Sequence, residues 1–241
     1  MDGRDSIDPV VLAKWRVLLQ LGGWSGLIVA ALFLSEMILY IASAPPGLAD
    51  AAGWLALFQT NKLLALMDFG LLEFWALALF VPIFLALYLV LRRTNESSMT
   101  VGVVLAGIGI GINYASNQLF PLLAISWLHE AAATEMQRSQ FLAAAQVALA
   151  QAAQGGIAGG VQGGTPLALS GLIISTVMLS SRAFGRVDAY MGLLANAAGL
   201  MMYVSAAFVT SLEGSPFFGP FFLLSILWFG LVGRRLLQLS R

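Results

Sequence analysis

The sequence predicts an all-α fold, a polytopic transmembrane helical bundle of six spans forming a single domain over residues 1–241. Three observations predict it. Apolar residues make up 59% of the 241, against about 45–50% in ordinary soluble domains. Charged residues make up 10%, where about 25% is usual. The apolar residues also fall in runs long enough to cross a hydrocarbon core of about 30 Å. A chain this short of polar groups cannot cover a water-facing surface, and lipid removes the need.

The elements follow in order. Residues 1–16 are polar and charged, and the first span covers about residues 18–44. Ala42-Ser43-Ala44 resembles a signal cleavage site. The run before it is far longer than the roughly 7–15 apolar residues of a signal peptide, so the helix is expected to be retained. Pro45-Pro46-Gly47 ends it, and Asp50 to Gln59 fits a short surface helix with Trp54 as interfacial anchor. The second span, about 68–91, carries Pro82, which predicts a kink, and stops at Arg92-Arg93. The third covers about 99–120, with a break at Pro121. Residues 127–164 form an outer segment rich in Ala, Gln and Gly, too diluted by Glu130, Glu135, Gln137, Arg138 and Gln140 to be a span. The last three spans are about 165–181, 189–210 and 217–237.

Arginine and lysine orient the bundle. Ten of the twelve lie in the N-terminus, the second-to-third and fourth-to-fifth connections and the C-terminus; Lys62 and Arg138 alone lie opposite. Both termini are therefore expected in the cytoplasm, and the two long connections outside, across the cell inner (plasma) membrane.

Composition also excludes chemistry. Net charge is zero with no basic patch for nucleic acid, and cysteine is absent. The single histidine, His129, excludes a multi-histidine metal or haem site within one chain, and no cofactor is expected. Lys14 and Lys62 are not mid-span, which argues against a Schiff base in the bilayer. Ser25, Ser35, Ser126, Ser170 and Ser205 lack a nucleophile elbow or triad context.

Polar residues inside the apolar runs are the candidate site, because charge at mid-bilayer is expensive. At 1.5 Å per residue, Glu36 lies about 27 Å from the inner start of its span, Glu73 about 28 Å and Asn117 about 27 Å. Three helices thus bring polar groups to one level near the outer interface, with His129 and Glu130 just above. Asn113 and Gln118 join this outer cluster. Gly102, Ala106, Gly109, Asn113 and Asn117 form one helical stripe, and Asp188, Gly192, Asn196, Gly199 and Tyr203 another. Small residues permit close helix approach and amides bond across it, so both stripes are expected to face the interior. The amides fit packing as well as ligand binding, and a glutamate near the interface can simply reach water.

The run Gly155-Gly156-x-x-Gly159-Gly160-x-x-Gly163-Gly164 lacks the lysine and the preceding strand of a phosphate loop. It reads as a glycine zipper or a hinge. Such Gly-rich faces fit a homo-oligomer or a membrane partner besides the lipid bilayer.

Asp68 followed by Pro82, Ala86-Leu87-Tyr88 and Arg92-Arg93 resembles a group of bacterial six-span membrane proteins known only as a domain of unknown function. The segment Ser181 to Arg186 leading to Leu193, Gly199 and Leu200 is similar to the same group. The resemblance implies six spans and no activity, and it adds Asp68 to the candidates. The glycine run and the Ala/Gln segment depart from it. Three functions remain open: a small transporter or channel-like protein with an outward-facing polar site, a non-enzymatic subunit or scaffold, and, third, an intramembrane enzyme using carboxylates.

Overall fold

A computed structural model describes residues 14–155, 161–206 and 215–241. Arg4, Gly156, Gly159, Gly160 and the expected end of the fifth span at 207–210 lie outside the described residues. The described chain is helical throughout, without a strand. Its helices are α1 (Arg16–Ser43), α2 (Ala51–Thr60), α3 (Lys62–Leu66), α4 (Leu72–Leu91), α5 (Glu96–Ser116), α6 (Leu119–Glu130), α7 (Glu135–Gly155), α8 (Thr165–Ser180), α9 (Arg186–Ala206) and α10 (Phe218–Leu239). A π-helical turn, Met67–Leu71, joins α3 to α4. Six stretches are long and apolar enough to cross a membrane: Arg16–Ser43, Lys62–Leu91, Glu96–Glu130, Val161–Ser180, Arg186–Ser205 and Phe218–Leu239.

The spanning helices close into a ring. Around it α1 packs on α4, α4 on α5, α5 on α8, α8 on α9, α9 on α10, and α10 returns to α1. Glycine makes the closing seam. A Cβ on Gly26 would stand 2.9 Å from Gly233 Cα, and one on Gly233 only 2.7 Å from the Gly23 carbonyl oxygen. Backbone meets backbone there, so dispersion contact replaces the hydrophobic drive that lipid cannot supply. On α1 the inward stripe is Leu19, Gly22, Gly26, Val29 and Phe33, at helical spacing. The opposite stripe of Val17, Leu21, Trp24, Ile28, Ile38 and Ile41 is exposed. That is the apolar perimeter expected of a helix facing lipid.

The two long connections form a cap over one end. Trp54, Leu55 and Phe58 of α2 bury themselves with Leu122 of α6 and with Ala145, Ala148 and Leu149 of α7. This cluster is separate from the core inside the ring. The Ala/Gln segment is therefore a 21-residue helix lying on α2 and α6, with its polar side in the open.

Two breaks differ from the residues expected to cause them. The third span ends at Asn117, which adopts an extended backbone, four residues ahead of Pro121. Pro121 sits in the first turn of α6, where its missing N–H costs nothing. In the second span α4 runs on through Pro82, and the residue with non-helical dihedrals is Gly70, at φ 106°.

Candidate functional site

The polar residues of the ring gather beneath the cap. Glu36 extends the inward stripe of α1, one turn beyond buried Phe33. Glu73 opens the inward stripe of α4 that continues through Ala76, Leu77, Phe80, Phe84 and Leu87. The two carboxyl groups come within electrostatic reach of each other, and Tyr203 of α9 lies within reach of Glu73. Glu36 Oε2 is sealed from solvent and has no hydrogen-bond partner. Glu73 is exposed at the start of α4.

Side chains of α5 and α9 pack around the starts of α4 and α8. On α5, Tyr114 donates its hydroxyl to the Phe74 carbonyl at 2.9 Å, and its ring stands edge-on to Phe74. Asn113 donates to Gly109 O at 2.8 Å, and its amide fills the space a Cβ on Gly163 would need. The Tyr203 ring likewise occupies the side-chain space of Gly164, and it meets Phe221 of α10 edge-on. The double glycine at 163–164 therefore lets two polar side chains from α5 and α9 lie against the entry to α8. Below the carboxylates, Phe33, Phe80, Phe222 and Phe229 interlock, with Phe80 stacked on Phe229 at 5.1 Å. This aromatic floor belongs to the buried core of the ring.

Above it, Asp68 in the π-turn accepts a hydrogen bond from Ser43 at 2.9 Å, while its second oxygen, Oδ2, is buried and unpartnered. Ser43 lies two turns beyond Glu36 on α1, about 10 Å along the axis. Asp68, Glu36 and Glu73 thus step down one seam between the first and second spans. The positive φ of Gly70 interrupts the helix between Asp68 and Glu73. π-turns of this kind recur at functional sites because they re-aim the side chains around them.

The other candidates are placed elsewhere. Asn117 accepts from the Leu119 N–H at 2.9 Å, and Gln118 donates to the Ser116 carbonyl, so both serve the break between α5 and α6. His129 Nδ1 pairs with Gln59 Nε2 at 3.2 Å, tying α6 to α2 within the cap. Glu130 is exposed at the end of α6. Asn196 is buried mid-bundle, donates to Gly192 O at 2.8 Å, and packs where Gly171 has no side chain. Sequence reasoning had not singled out Ser43, Tyr114 or Gly70. Gly70 carried the available signal, a lone glycine between two carboxylates in an otherwise bulky run.

Three or more His, Cys, Asp or Glu side chains do not converge as metal ligands among the described residues. Nor do the cap-end cations reach the carboxylates: Lys62 lies over the Trp127 ring at 5.6 Å, and Arg138 bridges Glu135 at 3.0 Å. The arrangement brings carboxyl groups of two spans and the Tyr203 hydroxyl within electrostatic reach of one another. Such a site is suited to accepting a cation or a proton.

The fold is that of a polytopic integral membrane protein, with six stretches long and apolar enough to span a membrane packed in a ring. No family model, no curated protein and no solved structure matches this chain.

Proposed function

We propose that the protein is a small transporter or channel-like carrier whose cation-accepting site lies between Glu36 and Glu73. One observation carries this reading: beneath the cap Glu36 has a carboxyl oxygen sealed from solvent and unpartnered, with Glu73 of the neighbouring span within its electrostatic reach. Like charges at short range in low dielectric repel, and a cation between them removes the repulsion. The absence of three convergent ligands among the described residues favours a proton, a monovalent ion or a small organic cation over a tightly held divalent metal. Asp68 marks the route in, and the aromatic floor is the barrier that would have to open. The Arg-rich opposite end supports an outward-facing vestibule in the bacterial inner membrane.

The test is flux through proteoliposomes of the purified protein. Rubidium and tetramethylammonium uptake would be followed with radiolabel, and proton entry with a trapped pH dye. We expect at least one flux above that of empty liposomes. Glu36→Gln and Glu73→Gln should each lower it by at least about tenfold, as expected when one partner of a desolvated charged contact is removed. Fluxes equal to empty liposomes for all three probes, or insensitive to both substitutions, would sink the reading.

A further inference from the structure

At the end of the ring opposite the cap, a cleft of about 320 Å³ opens between the α8–α9 connection and the last turns of α10. That volume is at the low end of the range for small-molecule sites, about 300–1,000 Å³. Arg182, Arg234 and Arg235 line it, with Asp188 as the one lining carboxylate. Asp188 is already engaged, accepting from the Gly185 N–H at 2.8 Å across the start of α9. Arg235 is held in place: its Nε donates to the Ala183 carbonyl at 2.6 Å and its Nη1 to Gln238 at 3.1 Å. Arg182 and Arg234 are exposed. Neither forms a salt bridge; the one salt bridge among the described residues is Arg138–Glu135, at the cap. The cleft therefore holds three guanidinium groups against one carboxylate.

We propose that this cleft binds the phosphate of an anionic phospholipid in the leaflet at the Arg-rich end. Guanidinium groups match phosphate oxygens in a two-pronged geometry that ammonium cannot reproduce. Arg235 supplies a preorganised anchor and the two free arginines close on the ligand. The choice of a lipid over a soluble phosphate rests on position and on the apolar part of the lining. Arg182 follows the end of α8 at Ser180, and Arg234 lies about 24 Å along α10 from Phe218, which is headgroup depth for a spanning helix. Phe184 and Leu231 form the apolar wall of the same cleft, against which the glycerol and the first acyl carbons can lie. Basic pockets between spanning helices are a recurrent solution for anionic headgroups.

The experiment uses full-length protein in neutral detergent. Binding of dioleoylphosphatidylglycerol is followed by native mass spectrometry and by the rise in Tm, with dioleoylphosphatidylcholine and inorganic phosphate as the other arms. Phosphatidylglycerol should be retained and should raise Tm, and the other two should not. The double substitution Arg182→Gln with Arg234→Gln should weaken binding about thirty-fold, since each arginine near the surface is worth about a factor of five. Neither side chain supports the fold through a described hydrogen bond, so this variant should remain folded, whereas Arg235→Gln would also release Ala183. Arg93→Gln, an exposed arginine on the second-to-third connection, should leave binding unchanged. An equal Tm shift with inorganic phosphate would overturn the lipid assignment. Equal phosphatidylglycerol binding by wild type and the double variant, or by neither, would overturn the site itself.

Discussion

Gly70 sets the local backbone geometry between Asp68 and Glu73. Its φ of 106° lies in the left-handed region, and only Glu73 Oε2, at 3.9 Å, comes near the position of an added Cβ. Gly70→Ala therefore introduces strain without a clash. A left-handed residue with a side chain costs about 1–2 kcal/mol, so Tm should fall modestly. The more informative readout is cation flux, which should fall further than stability, because relaxing the turn rotates Glu73 out of register with Glu36. A variant with wild-type flux would show that the π-turn does not position the carboxylate. Gly192 presents the opposite case. A Cβ there would overlap Ser175 Oγ and approach Trp228 Nε1 at 2.5 Å, and both of those groups are buried in the ring core. Gly192→Ala should cost about 1–3 kcal/mol through overpacking, read as a lower Tm with no specific change in flux.

The cap and the spans are held by separate apolar clusters, and they should separate experimentally. Trp54 is 2% exposed and packs edge-on to Phe69 within the cap. Trp54→Ala should remove about 3–5 kcal/mol from that cluster. Amide hydrogen exchange should then accelerate in α2 and α7 while α1, α4 and α10 stay protected. Uniform acceleration would mean that cap and ring unfold as one unit. This division also explains what could be read from sequence at this scale. The six spans were legible because lipid demands long apolar runs whatever packs against them. The Ala/Gln helix was legible as a helix, but its docking was not. Its buried face is Ala145, Ala148 and Leu149, two alanines and a leucine whose role appears only when Trp54 and Phe58 are placed over them. Proline misled for a related reason. Pro121 is tolerated in a first helical turn, while the actual break falls at the extended Asn117, whose side chain accepts from the Leu119 N–H. Glu36 and Glu73 could be set at one depth by helical rise. Depth gives no angle, however, and the same arithmetic placed Asn117 beside them although its side chain serves the turn.

At the scale of the whole molecule, ring closure and topology are the testable properties. The seam between α1 and α10 joins the first and last spans through Gly23, Gly26 and Gly233. Gly233→Val would drive side-chain atoms into backbone that cannot yield, so it should open the ring and lower Tm more than Gly192→Ala does. The neighbour-to-neighbour order around the ring was beyond the sequence, since every span has glycine and alanine enough to pack on any other. The alternation of ends was not, because Arg and Lys mark it. If neighbouring spans alternate as the charge pattern predicts, Glu130 at the cap and Arg93 at the α4–α5 connection lie on opposite faces of the membrane. Both are exposed, and the chain has no cysteine, so single substitutions report cleanly. In intact spheroplasts a membrane-impermeant maleimide should label Glu130→Cys at once and Arg93→Cys only after permeabilisation. The reverse pattern would invert the orientation and put the carboxylate vestibule on the cytoplasmic side, turning the proposed uptake site into an export site. Labelling of both from one side would contradict the alternation itself, and with it the ring in which Glu36 and Glu73 meet.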